Sequence, residues 1–452
     1  MAFKSRCFLH WQKFRLELIE KQVEIMKKNC KEISLEHLYT CRPSYLWSYL
    51  RSETLGYWSI CIYLMFEYVR PQSIYAWIDI FPWAQTFLLL SFSIALFQKK
   101  DVSTKVGTTT LIAIYGVIVL ISSAFAVWPS LAFNNLGSFG NWVLAYYAIV
   151  RLVNTRRRFF IFFLLYMLCN LKMSQHGFFT WAFRGFSFSG WGVSGAPGWF
   201  RNSGEFGIQM TIFVPLSIAF FIALRNFWGI KMRMLFLFFP MSGAGSILAS
   251  SSRGALLGLA ASGVWLMKSN KYFFKSLFIL SILALLVFIV LPDEFKDRFE
   301  SSGEDRTSTI RIDRWEKGID TALKFPFFGV GHKNWDKYYR KNLDYGQVGT
   351  SKTHNIFIES LTEHGFTGFF VLLLIIFSMF RSNKRVRAIA EKNSWSFERY
   401  IAFGLDFSTI GLLVSASFVT VLYYPYIWIH AAFVAALYVS TFQADSRLND
   451  KS

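Results

Sequence analysis

Long apolar runs recur along this chain, with short polar joints between them. Twelve can be drawn, at 57–69, 78–97, 106–127, 131–150, 159–173, 206–224, 234–249, 255–267, 272–291, 356–380, 397–422 and 426–442. The runs are continuous rather than alternating, which predicts helices and argues against a barrel of short strands. Most approach the length of about 20 residues that an α-helix needs to cross a bilayer. The expected fold is an all-α polytopic membrane protein of about twelve transmembrane helices. One polar interval stands apart. Residues 292–354 separate the ninth run from the tenth, and the chain returns to apolar sequence through Ser351-Lys352-Thr353-His354-Asn355-Ile356. The pattern divides the chain into a basic N-terminal extension (1–54), nine helices (55–291), a loop domain (292–354), three helices (355–442) and a tail (443–452).

Charge assigns these segments to sides. With the N-terminus in the cytoplasm, the even-numbered joints carry Lys99, Lys100 and Lys105; Arg151, Arg156, Arg157 and Arg158; Arg225, Lys231 and Arg233; Lys268, Lys271 and Lys275; and Arg381, Lys384, Arg385, Arg387 and Lys392. Each is basic with few acids, as the positive-inside rule demands of cytoplasmic loops. Dropping or adding one span would reverse the sign of every later loop. Both termini are therefore expected inside. The 292–354 loop, the Gly-, Ser- and aromatic-rich 174–205 segment and the turn Ser250-Ser251-Ser252-Arg253-Gly254 are expected outside.

Composition agrees. Of 452 residues, 54% are hydrophobic and 17% charged, below the soluble share of about 25%. The net charge of +20 is explained by the inner loops. No basic soluble domain is visible, so no nucleic-acid partner is expected. The five cysteines, Cys7, Cys30, Cys41, Cys61 and Cys169, contain no CxxC pair. They fall on the cytoplasmic side or in the membrane, so disulfides are not expected. No signal-type apolar core precedes the first run. Within residues 1–54, Phe14, Leu18, Val23, Ile25 and Met26 lie among many charges. That segment reads either as a helix on the membrane surface or as a basic tail that fixes orientation.

A few residues could carry chemistry at the outer face. Arg253 stands between two apolar runs with no Asp or Glu within ten residues. It can snorkel to headgroups, or present a planar fork to an anion such as phosphate. Arg201 precedes the sixth run in Arg201-Asn202-Ser203-Gly204-Glu205. It can pair with Glu205 at i,i+4 above a cap on Asn202 or Ser203, or bind a ligand. In the loop, Ile312, Trp315, Ile319 and Leu323 share one face of a predicted helix, with Arg311 and Arg314 on its flank. His354 sits at the re-entry point, where Thr353 or Ser351 could cap the coming helix. A histidine there can cap the helix or line the interface, and it can also take a proton from a hydroxyl near neutral pH. No metal site is predicted. Only His354 and His364 are close in sequence, and their spacing does not stack them on one helical face. HExxH, P-loop and GxSxG motifs are all absent.

The order and placement of Ser-Arg-Gly at 252–254, Arg-Trp at 314–315, Phe-Phe-Gly-Val-Gly at 327–331 and Thr-His-Asn-Ile-Phe-Ile-Glu-Ser-Leu-Thr-Glu-His-Gly at 353–365 resemble the O-antigen ligase and polymerase superfamily. The likeness covers roughly residues 57–442 and is strongest over 200–370. The resemblance implies a GT-C-like glycosyltransferase architecture in the bacterial inner membrane with a periplasmic active site. It implies transfer of an undecaprenyl-pyrophosphate-linked glycan to an acceptor hydroxyl, without metal, cofactor or nucleotide sugar. On it, His354 corresponds to the histidine that activates the acceptor. Arg253 corresponds to a pyrophosphate-contacting arginine, Arg201 to a second, and Arg311 and Arg314 to weaker matches. The ligase branch, with lipid A–core as acceptor, fits the positions around 200 and 253 best. A glycan polymerase, a protein O-oligosaccharyltransferase and, outside enzymes, a lipid-linked glycan flippase remain as alternatives. A transport path would place polar groups at mid-membrane depth, whereas Arg201, Arg253 and His354 all fall at one face.

Overall fold

The computed structural model describes residues 33–98, 106–187, 192–268, 306–343 and 351–450. Among them no strand occurs. The helices are α1 (Leu35–Tyr39), α2 (Pro43–Arg51), α3 (Leu55–Tyr68), α4 (Pro71–Ile74), α5 (Trp83–Phe97), α6 (Gly107–Ala124), α7 (Pro129–Asn134), α8 (Gly137–Leu152), α9 (Arg156–Phe183), α10 (Ser203–Leu224), α11 (Ile230–Ala249), α12 (Arg253–Lys268), α13 (Arg306–Lys324), α14 (Trp335–Asn342), α15 (Ile356–Lys392), α16 (Ser396–Ala416) and α17 (Pro425–Asn449). Every apolar run except the ninth overlaps one or two of them. The ninth run, 272–291, and the amphipathic stretch before residue 33 lie outside the described residues. By length and composition, five helices among the described residues can cross a membrane: α6, α10 (continued to Phe227), α11, α15 and α17; α5 is a shorter apolar helix.

Boundaries differ from the sequence pattern where polar chemistry continues or breaks a helix. The fourth run divides at Asn135-Leu136, because the Asn135 side chain turns back to the Leu131 carbonyl at 2.8 Å. α9 runs ten residues past its apolar run and takes 174–183 out of the expected outer segment. α15 extends through the basic stretch to Lys392, with one non-helical residue at Gly365 (φ 64°, ψ −167°). α16 stops at Ala416, leaving 417–424 as a loop.

α17 is the axis of the bundle. Its residues from Pro425 to Val439 are buried without interruption. Phe433 packs on Phe162, Phe163 and Tyr166 of α9, with the Tyr166 ring centroid at 4.7 Å. Neighbouring helices have little hydrophobic reason to prefer each other over lipid, so close approach and polar ties hold them. α12 and α16 meet at Gly258 and Gly411: a Cβ on Gly258 would stand 2.5 Å from the Gly411 carbonyl oxygen. Gln209 of α10 donates to Tyr166 at 2.8 Å and to Asn170 at 2.7 Å.

The two ends of the bundle differ in charge chemistry. At one end the basic joints are paired: Arg158 to Glu53 at 2.7 Å, Arg156 to Glu398, Arg387 to Asp406, and Lys392 to Asp445 at 3.5 Å. The opposite end carries Arg201, Arg253 and His354. There the 325–335 turn is locked onto α6 and α15. Gly331 adopts φ +106°, and a Cβ on it would lie 2.1 Å from the Ala126 Cβ. Gly331→Ala combines that clash with backbone strain of about 1–3 kcal/mol. A lowered Tm, with loss of the neighbouring contacts, is expected in a thermal melt of the purified variant. An unchanged Tm would show that the turn is loosely held.

Candidate functional site

Residues 351–355 are fixed by their backbone. The Trp335 indole donates to the Ser351 carbonyl at 2.9 Å, and the Trp315 indole to the Thr353 carbonyl at 2.9 Å. The His354 N–H donates to the Thr420 hydroxyl at 2.8 Å. The cap of α15 is Asn355, whose side chain accepts from the N–H groups of Phe357 at 2.9 Å and Ile358 at 3.3 Å. The sequence reading gave that role to Thr353 or Ser351. Thr353 instead donates to the Asn355 carbonyl, and Ser351 binds Asp336 and Arg340. His354 itself has φ +50°, a left-handed conformation that histidine tolerates better than most residues.

The structure brings three cations to this histidine. Burial pushes the His354 imidazole down to about 4, and the charges of Arg311, Arg314 and Lys352 add to the shift. α13 presents both arginines. Arg314 is buried, donates to the Lys352 carbonyl at 3.5 Å, and lies 5.9 Å from the Tyr339 ring centroid. The buried positions of α13 are Arg314, Gly318, Thr321 and Ala322; of the face predicted from Ile312, Trp315, Ile319 and Leu323, Trp315 is half-buried and the other three are exposed.

Residues beside Arg253 and Arg201 pack against the 417–424 loop. Arg253 is the first residue of α12, half-buried, after Ser251 at φ +51°. Its neighbour Gly254 lies under Phe418, where a Cβ would stand 3.1 Å away, and Phe418 is 6.5 Å from the Trp315 ring. Arg201 is exposed and precedes Asn202, which caps α10 by accepting from Gly204 at 2.9 Å. Gly204 in turn lies beside Val419, 3.6 Å from an added Cβ. Of the two readings of Arg201, the pair with Glu205 does not form. Glu205 turns to Tyr424 and Lys352 instead.

Two carboxylates that the sequence reading did not assign suspend this loop from α15. Glu359 accepts the Leu422 N–H at 3.0 Å. Glu363 accepts the Lys333 N–H at 2.7 Å and the Tyr423 hydroxyl. The i,i+4 spacing of two acids inside an apolar run was the available signal, since buried charges are retained only where they are engaged. His364 completes the network, within 3.1 Å of the Tyr115 hydroxyl and 3.3 Å of the Tyr423 hydroxyl.

His332, Glu363 and His364 bring their ligand atoms within 4.8 Å of one another, and this trio could hold a metal ion. Sequence spacing missed it because His332 arrives from the 325–335 turn. Two imidazoles and a carboxylate suit zinc, whose bonds of about 2.0–2.1 Å would require the trio to close up. Their present partners are protein groups: His332 Nε2 faces the Asn135 carbonyl at 3.0 Å, and the Lys333 ammonium stands 4.0 Å over the Tyr423 ring. A neighbouring cation opposes a metal. Glu363 and His364 form a hydrogen-bonded strut between α15, the 325–335 turn and the 417–424 loop, while His332 stacks on His364, bonds Asn135 and leaves its buried Nδ1 without a partner among the described residues.

Comparison with known proteins finds a likeness over part of the chain. Residues 236–373 match the family model described as O-antigen ligase. This stretch is similar to an O-antigen ligase domain. It contains Arg253, Arg311, Arg314, His354 and both loop-suspending glutamates. Arg201, Thr420 and Tyr423 lie outside it. A Haemophilus influenzae protein of unstated function is 24% identical over 149 residues, which cover 28% of this chain and 37% of that protein. The match and the apolar helices together support a membrane protein that is similar to O-antigen ligases over residues 236–373.

Proposed function

We propose that this protein transfers an undecaprenyl-pyrophosphate-linked glycan to an acceptor hydroxyl at the periplasmic face of the bacterial inner membrane, with lipid A–core as acceptor. The observation that carries the reading is His354, held neutral beside Arg311, Arg314 and Lys352 within the stretch similar to O-antigen ligases. His354 takes the proton of the acceptor hydroxyl as its oxygen attacks the anomeric carbon. The bond from that carbon to the pyrophosphate oxygen breaks, and undecaprenyl pyrophosphate leaves with the electron pair. Direct displacement inverts the anomeric centre. Arg253, Arg201, Arg314 and Arg311 neutralise the departing pyrophosphate, so the arginines supply the charge that a metal supplies elsewhere.

The cations give the base a dependence on donor. Before donor binds, they disfavour protonated His354, and a bound pyrophosphate offsets them. The group that must accept a proton thus becomes more basic once the leaving group is in place. The acid limb of kcat/KM, which reports the free enzyme, is expected near 4, and that of kcat at higher pH. Lys352→Gln removes one cation, so it should move the kcat/KM limb upward. A limb near 6.5 that ignores this substitution would remove the electrostatic coupling.

Reconstitution tests the whole reading. The purified protein in lipid nanodiscs is given an undecaprenyl-pyrophosphate glycan with lipid A–core, with further donor glycan, or with a Ser/Thr peptide. Product on lipid A–core is expected. Product only on glycan or peptide reassigns the branch. No transfer to any acceptor, with donor moved between leaflets, would favour a flippase.

A further inference from the structure

A cavity of ≈ 350 Å³ opens at the His354 end of the bundle, between the end of α3, α4, and the starts of α5 and α8. It lies outside the stretch similar to O-antigen ligases and contains none of the residues assigned above. Its walls include Trp83, Trp142 and Trp199 with Asp79, Gln85 and Asn141. We propose that this cavity is a saccharide subsite, holding a pyranose residue of the glycan some distance from the reacting carbon. The inference rests on the glycan-transfer reading above and names where part of that substrate sits.

The chemistry of the walls selects the ligand. A pyranose ring has flat C–H faces and a rim of hydroxyls, each of which donates and accepts. Large aromatic surfaces suit the faces, and carboxylates and amides suit the rim. Gln85 donates to Asn141 at 3.3 Å. That bond uses one donor and one acceptor of the pair and leaves others to spare. Asp79 makes no side-chain hydrogen bond or ion pair among the described residues. Charge gives a pyrophosphate little hold: among the lining residues the single cation Arg70 is balanced by the exposed Asp79, with the acid Glu67 beside it. A neutral, hydroxyl-rich ligand fits where a phosphate is poorly held. The volume lies at the small end of ligand pockets, which suits a short stretch of glycan rather than a lipid chain.

Position connects the cavity to the reaction. Its inner wall is the back of the loop that holds His354. The Trp142 indole donates to the Tyr423 carbonyl at 2.8 Å, and the Trp199 ring lies 4.9 Å from that of Tyr424. The Trp199 indole also donates to Glu67, a buried acid near the end of α3. Glu67 is thereby explained as the anchor of an aromatic wall. Phe81 of the lining and, near it in sequence, Tyr75 and Trp77 are exposed, as aromatics are at the headgroup level of a bilayer. A glycan running along the membrane surface past His354 would meet this opening next.

The saccharide could belong to the donor or to the acceptor, and the test separates the two. The full chain in nanodiscs is probed by saturation-transfer NMR with two oligosaccharides: the glycan released from its lipid carrier by mild acid, and delipidated lipid A–core oligosaccharide. One of them is expected to receive magnetisation in its ring protons. Its affinity should fall about tenfold, the worth of a lost hydrogen bond, in Asn141→Ala and in Asp79→Asn. Asp79 is exposed and partnerless, so its variant keeps the fold testable should Asn141→Ala fail to fold. In transfer assays the KM for the same substrate should rise while kcat holds. Binding by neither oligosaccharide, or equal binding by wild type and both variants, overturns the subsite. His354→Ala should bind the oligosaccharide normally. Full transfer by His354→Ala would sink the catalytic reading instead, so the two failures are distinguishable.

Discussion

Replacing His354 by alanine is expected to abolish glycan transfer while the protein still inserts, folds and binds donor. General-base catalysis contributes roughly 10²–10⁴-fold, and among the described residues no second histidine faces the same cations. His332 and His364 are engaged elsewhere, through Asn135, Tyr115 and Tyr423. The fold should tolerate the change because the ties at this point are backbone ones. The His354 N–H still reaches Thr420, Trp315 still holds the Thr353 carbonyl, and Asn355 still caps α15. Alanine is less at ease than histidine at φ +50°, so His354→Asn is the companion variant, since asparagine favours that region. Both should elute as wild type on size exclusion and melt close to it, yet give no product with the lipid-linked donor. Near-normal transfer by the asparagine variant would remove His354 from the mechanism, leaving Lys352 or Glu359 to be tested as the proton acceptor.

The helices were legible because apolar length is a strong signal when hydrocarbon is the solvent. Their ends were not. α9 continues through Ser174-Gln175-His176, polar residues that read as a loop but find partners inside the bundle, Ser174 with Ser242 at 2.9 Å. α15 continues into the basic stretch because lysine and arginine are good helix formers, and charge marks a side rather than a helix end. α16 ends early because Thr420, Tyr423 and Tyr424 are wanted in a loop by residues on distant helices.

The same limit applies to the site. His354 and the α13 arginines were readable, since a histidine at a re-entry point and arginines on one helix flank are local patterns. The network of His332, Glu363, His364 and Tyr423 is a meeting of three segments, and only Glu359 and Glu363 left a trace, as acids at helical spacing in an apolar run. Thr420 left none, because what matters is its hydroxyl's position against the His354 N–H. The left-handed backbone at His354 and Ser251 is likewise set by tertiary contacts, not by residue preference.

Arg253→Lys is expected to cripple transfer although the charge is kept. Arg253 opens α12, where the helix dipole is positive and a cation is disfavoured. Ser252 caps that turn by accepting from the Ala255 N–H at 3.3 Å. A guanidinium added to a helix N-terminus makes a corner that attracts an anion twice over, through the dipole and through the fork. The proposed ligand, a pyrophosphate, offers paired oxygens that an arginine can grip with two parallel N–H bonds. Lysine brings a compact, strongly hydrated charge that forms no such fork. Its loss should reach about 10²-fold, as for removal of one preorganised donor to a developing charge. The effect should fall on kcat, because the grip tightens as the pyrophosphate leaves. Arg253→Ala should lose at least as much. The Lys variant also separates two readings of this residue. An arginine that merely reaches lipid headgroups is replaced by lysine at little cost, so wild-type kcat in Arg253→Lys would make Arg253 a membrane anchor and return pyrophosphate binding to Arg311, Arg314 and Arg201.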